Sequence, residues 1–114
     1  MLKDRLREVL LEQARTGLPV TYRQLADRLG LAPPRTIHRV GEALEELIDE
    51  DVAGGRPLLS AVAVSRVRPG IPARGFFLRA RHAGILSEDP DGPEAFAFHA
   101  RELRRALRFY ARST

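Results

Sequence analysis

The chain has 114 residues, of which 44% are apolar and 30% charged, with a net charge of +4 and no cysteine. That length supports one compact core, and the missing thiols exclude a disulfide scaffold, a cysteine-ligated metal site and a cysteine nucleophile. No apolar run approaches the roughly 20 residues of a membrane-spanning helix, and the charged stretch from Met1 to Val9 has no signal-peptide apolar region. The sequence therefore predicts one cytoplasmic domain over 1–114, with its core in about 1–84 and a C-terminal helix over about 92–112.

Leu2, Leu6, Val9, Leu10 and Ala14 recur at helical spacing and predict an amphipathic helix from Leu2 to Arg15, stopped by Gly17 and Pro19. Val20-Thr21 opens a second helix, in which Thr21 and Gln24 fit a capping box. Leu25, Ala26 and Leu29 form its inner stripe and Gly30 its left-handed stop. After the turn Leu31-Ala32-Pro33-Pro34, a third helix runs over about 34–51. Pro34 suits its first position, and Ile37, Val40, Leu44, Leu47 and Ile48 mark its buried face. Gly41 costs about 1 kcal/mol inside this helix, which suggests close packing on another backbone.

Leu58 to Val67, rich in valine and alanine, reads as a strand. Arg68 to Pro72 is a turn. Gly75 to Ala83 fits either a returning strand or a short helix, and Gly84 as a glycine stop favours the helix. Ser87 to Pro93 is a polar linker with Asp91 as an N-cap candidate. The last helix, Pro93 to Ala111, carries the stripe Phe96, Leu103, Leu107, Tyr110.

Charge is unevenly laid out along this frame. All basic residues but Lys3 are arginine, whose planar fork matches phosphate oxygens; codon bias in a GC-rich genome gives the same preference. Residues 42–51 carry six acids and no base, whereas 52–87 carry six arginines and no acid. Helix, turn, helix, strand and basic loop is the order of a winged helix-turn-helix. In that design the N-terminal residues of the second helix of the pair enter the major groove and a basic wing holds the flanking phosphates. The expected fold is mainly α with a small β element, a winged helix-turn-helix with N- and C-terminal flanking helices. Arg35, Thr36, His38 and Arg39 are the groove candidates. The basic loop 66–81 supplies Arg66, Arg68 and Arg74 for phosphates. The competing reading is an internal salt-bridge pattern between the acidic helix tail and the arginine-rich segment.

The stretch Val20-Thr21-Tyr22-Arg23-Gln24-Leu25-Ala26, followed by Arg39-Val40-Gly41-Glu42-Ala43-Leu44, resembles the DNA-binding domain of the alkylguanine-DNA alkyltransferases and their non-enzymatic alkyltransferase-like relatives. Those proteins carry V-[ST]-Y-x-x-L-A and R-x-V-G-x-A-[LM]. The resemblance covers residues 19–48, and the segment to Gly84 only loosely. It implies a winged-helix fold and duplex binding, with Tyr22 in the place of the tyrosine that presses on the phosphate of a flipped nucleotide; simple core packing is the other reading of Tyr22. Val40, Gly41, Ala43 and Leu44 match packing positions. The family arginine that fills the space of the flipped base aligns with His38, and Arg39 follows it. Where the family has its proline–cysteine–histidine–arginine–valine motif, this chain reads Arg56-Pro57-Leu58-Leu59-Ser60-Ala61-Val62. Without a thiol, alkyl transfer is excluded.

No other chemistry is indicated. His38, His82 and His99 lack metal-ligand spacing, Ser60 and Ser65 lack a nucleophile elbow, and Gly54-Gly55 lacks the lysine of a phosphate loop. The acids Glu45, Glu46, Asp49 and Glu50 read as a solvated face. Neither an enzymatic activity, a metal nor a cofactor is expected. On the last helix Phe96, Phe98, Phe109 and Tyr110 exceed one stripe, so Phe98 or Phe109 is expected partly exposed, as a homodimer seam or a docking surface for a protein partner. Arg101, Arg104, Arg105, Arg108 and Arg112 form that helix's basic side. The sequence thus predicts a non-catalytic duplex-DNA-binding protein. The alternative is an interaction module of the same fold that docks a partner through its basic face or last helix.

Overall fold

Leu6, Leu10 and Ala14 fall on successive turns of α1 (Leu2–Arg15), and all three are fully buried. A computed structural model, which describes residues 1–111, builds the rest of the core around that stripe. In chain order follow β1 (Val20–Thr21), α2 (Tyr22–Arg28), α3 (Thr36–Ala53), a 3-10 turn (Leu59–Val62), β2 (Ala63–Val64), α4 (Arg74–His82) and α5 (Pro93–Ala111). The chain is therefore mainly helical with one small sheet. No helix among the described residues is long and apolar enough to cross a membrane. Arg112, counted with the basic side of the last helix, lies outside the described residues.

Adjacent residues on α3 divide the core. Leu47 joins Leu6, Leu10, Leu25, Val40 and Leu44 from the first three helices. Ile48 joins Leu58, Phe76, Phe77, Ala80 and Phe98. Between the two clusters runs residues 57–64, buried along its whole length. Such a segment needs a partner for every backbone polar group, and much of that partnership comes from side chains on the helices. The Leu58 amide donates to Glu102 of α5 at 3.0 Å and the Leu59 amide to Asp51 of α3 at 3.0 Å. The Ala61 carbonyl accepts from His99 Nε2 at 2.9 Å, and the Pro57 carbonyl from the Tyr110 hydroxyl at 2.7 Å. Ser60 donates its hydroxyl to the Leu44 carbonyl at 2.7 Å. Burial pushes the His99 imidazole below its usual range, so it sits neutral among the rings of Phe76 and Phe77.

Several expectations require correction. Leu58–Val67 is not one strand: its first half is the 3-10 turn, and only Ala63–Val64 pairs, in parallel, with Val20–Thr21. Val20 and Thr21 thus form a strand before the capped helix begins. The pairing also differs from the antiparallel hairpin of a wing. The basic loop 66–81 is divided, since α4 begins at Arg74 and takes the second half into a helix. That helix agrees with the glycine-stop reading, and Gly84 has a positive φ of 85°.

α3 starts two residues later than Pro34, at Thr36, with Arg35 as its cap in the left-handed region at φ 61°. Ile37 is not buried but 41% exposed. The inner side of α5 is Ala95, Phe98, His99, Glu102, Ala106 and Tyr110, one position round from the predicted stripe; Phe96, Leu103 and Leu107 lie at its edges. Phe98 is buried and Phe109 is the exposed ring. The Asp91 carboxylate pairs with Arg74 at 2.9 Å.

Gly41 is not closely packed either. A Cβ built there would meet nothing within 4 Å, and the residue borders a cavity of about 30 Å³, room for little more than one water. Gly41→Ala should therefore stabilise the protein by about 0.5–1 kcal/mol, through helix propensity and a less flexible unfolded chain. Urea denaturation checks this, and a loss of stability would mean that the space over Gly41 is not free.

Candidate nucleic-acid interface

Helix α2 is fixed at its start by the predicted capping box. Thr21 accepts from the Gln24 amide at 3.1 Å, and Gln24 accepts from the Thr21 amide at 2.9 Å. Leu25, Ala26 and Leu29 then pack into the first core cluster beside Val40 and Leu44 of α3. Residues 29–35 connect the two helices through Gly30, at φ 67°, and the left-handed Arg35. The connection closes on itself: Leu31 donates to the Ala26 carbonyl at 3.1 Å, and Arg39 to the Arg35 carbonyl at 2.9 Å.

This geometry brings Arg35, Thr36, His38 and Arg39 together on the first turn of α3. Arg35, Ile37, His38 and Arg39 are exposed, and Thr36 is half-buried. His38 lies 3.2 Å from Glu42. Among the described residues the Arg39 guanidinium reaches only the Ala32 carbonyl, at 3.5 Å. The Arg35 side chain has no hydrogen-bond or ion-pair partner among the described residues. Arg23 is also exposed on α2. It lies off the Leu25–Ala26–Leu29 stripe, a position the sequence reading did not single out.

The acidic half of α3 is largely neutralised from within. Glu50 pairs with Lys3 at 2.5 Å and with Arg7 at 3.1 Å, and Asp51 pairs with Arg7 and Arg56. Arg79 of α4 donates to Asp49 at 2.9 Å and lies 3.7 Å from Glu45. The Arg79 guanidinium holds the Asp49 carboxyl below its usual range, while burial pushes Glu45 up. The pairing of the acidic helix tail with the arginine-rich segment is thus, for Arg56 and Arg79, an internal salt-bridge pattern.

The loop residues 65–73 are tightly folded. Ser65 donates its amide to the Ile71 carbonyl at 2.8 Å, and its hydroxyl accepts from the Val67 and Arg68 amides. Arg68 turns inward, donating to the Pro72 carbonyl at 3.1 Å with its guanidinium 5.8 Å from the Phe96 ring centre. Arg74 is paired with Asp91. Of the three arginines expected at phosphates, Arg66 alone is exposed without an ion-pair partner among the described residues. Tyr22 fastens this loop to α2: its hydroxyl oxygen accepts from the Ala73 amide at 2.6 Å. Burial pushes its phenol up to about 12, so the hydroxyl keeps its proton at neutral pH and retains it for a further hydrogen bond.

Tyr22, Gly41, Glu45, Ser60 and Gly75 border the 30 Å³ cavity, and a Cβ on Gly75 would lie 2.7 Å from a Glu45 oxygen. No family model matches the chain, and neither a curated protein nor a solved structure matches it.

Proposed function

We propose that this chain is a non-catalytic, cytoplasmic duplex-DNA-binding domain of the winged helix-turn-helix kind, with the first turn of α3 directed into a groove. One observation carries the reading. With Glu45, Asp49, Glu50 and Asp51 of α3 engaged by Lys3, Arg7, Arg56 and Arg79, the exposed cations of α3 are Arg35 at its cap and Arg39 in its first turn, beside the His38–Glu42 pair. Guanidinium groups on the leading turn of the second helix of a pair suit phosphate and base-edge contacts. The loop 65–73 stands in the place of a wing, with Arg66 as its phosphate contact and Arg68 and Arg74 as its internal braces. The Val20–Ala26 and Arg39–Leu44 motifs support an alkyltransferase-like origin.

Fluorescence anisotropy of a labelled duplex at two salt concentrations tests this. Binding should weaken with salt, with a slope near −0.9 per phosphate contact in log affinity against log salt. Arg35→Ala/Arg39→Ala should weaken it by about tenfold or more. Absence of binding at low salt overturns the proposal and leaves the protein-docking module as the reading to pursue.

A further inference from the structure

At the far end of α3, about 27 Å from Arg35 by helical rise, the surface holds an open groove of about 560 Å³ lined by Gly55, Pro57, Arg105, Arg108 and Phe109. Its walls are fixed to the buried framework. The Phe109 ring meets Tyr110 edge-on at 4.9 Å, and the Tyr110 hydroxyl is bonded to the Pro57 carbonyl. Arg105 is ion-paired with Glu102, whose other oxygen accepts from the Leu58 amide. Arg56, next to Gly55, is tied back to Asp51 and to the Glu50 carbonyl. Arg108 has no ion-pair partner among the described residues, and Phe109 is 48% exposed.

Positions 105, 108 and 109 share one face of α5, since residues three and four apart are neighbours on a helix. They combine two guanidinium groups with an exposed aromatic ring in a concavity of ligand size. A plain carboxylate ligand would engage the arginines and leave the ring uncovered; an apolar ligand would do the reverse. A planar base carrying a phosphate satisfies both, through stacking and charge-assisted hydrogen bonds. We propose that this groove binds one nucleotide, its base stacked on Phe109 and its phosphate held by Arg105 and Arg108. A single aromatic platform suits a mononucleotide, because strand-binding grooves stack successive bases on several rings. The site is independent of the α3 start and stands or falls apart from duplex binding.

Titration of the isotope-labelled protein with AMP, followed by amide chemical shifts, provides the test. Shifts are expected at Gly55 and at Arg105 through Tyr110, with saturation at millimolar AMP or below. Adenosine and ribose 5-phosphate should each bind about tenfold more weakly, as should AMP to Phe109→Ala and to Arg108→Ala. Arg108 is exposed, so its replacement tests the site even if the Phe109 variant is destabilised. Arg35→Ala/Arg39→Ala should leave the titration unchanged. A short single-stranded oligoadenylate that shifts the same amides more tightly than AMP would overturn the single-nucleotide assignment in favour of a strand. No shift at millimolar AMP, or shifts confined to residues 35–39, would overturn the proposal.

Discussion

Asp51→Ala is expected to destabilise the protein by about 3–5 kcal/mol, a large share of the roughly 5–15 kcal/mol that holds a domain of this size together. The carboxylate is fully buried. One oxygen accepts from Arg7 at 3.2 Å and from Arg56 at 3.1 Å; the other accepts from the Leu59 amide at 3.0 Å. It therefore ties α1, α3 and the buried 57–64 segment at one point. Alanine would leave the Leu59 amide unpaired in the core and deprive Arg56 of its carboxylate, and an orphaned buried donor alone costs about 1–3 kcal/mol. Glu50→Ala, one residue earlier, is the contrast. Glu50 faces Lys3 and Arg7 from a side chain 39% exposed, so its loss should cost no more than about 1 kcal/mol. Urea midpoints for the two variants decide the matter. Similar small shifts would mean that Asp51 does not anchor the central segment.

That anchor was legible in part. Asp51 continues the sequence Val40, Leu44, Leu47 at helical spacing, and Glu102 and His99 fall in register with Ala95, Ala106 and Tyr110. A polar residue on an apolar stripe announces a buried hydrogen-bond partner. Counting Asp51 with the other acids of residues 42–51 as one charged run concealed it, because Asp51 and the exposed Glu46 look alike in composition and differ only in helical phase.

Where local chemistry decides the structure, the sequence was sufficient. The bounds of α1, the Thr21–Gln24 box and the Gly30 and Gly84 stops all follow from neighbours within a few residues. The segment 57–64 was harder. It is buried on all sides, so no alternation separates strand from turn, and its β-pairing joins Ala63 to Val20 across more than forty positions. For the candidate interface, the sequence placed the α3 start within two residues of the observed one at Thr36. It did not reveal that Arg68 and Arg74 are bonded within the protein. Such pairing with Pro72, Phe96 and Asp91 depends on how the loop and α5 come together.

Phe77→Ala should be nearly as damaging as the loss of Asp51, at about 3–5 kcal/mol, while Leu78→Ala should fall within about 0.5 kcal/mol of the native protein. In an extended strand, residues 76 and 77 would face opposite sides of the sheet. In α4 both rings turn inward: Phe76 is 5% exposed, Phe77 is fully buried and Leu78 is 42% exposed. Phe77 meets Phe76 edge-on at 5.2 Å and Phe96 at 5.7 Å, and lies 6.5 Å from His99. Its removal would open a cavity in the second core cluster between α3, α4 and α5. The urea midpoint should fall sharply for Phe77→Ala at an unchanged denaturant slope, which separates lost stability from an altered unfolded state. Equal losses at 77 and 78 would contradict the orientation of α4. That orientation also sets the Arg79 pairing with Asp49 and the Ala73 tether to Tyr22, so the same measurement tests how firmly the loop beside the candidate interface is held.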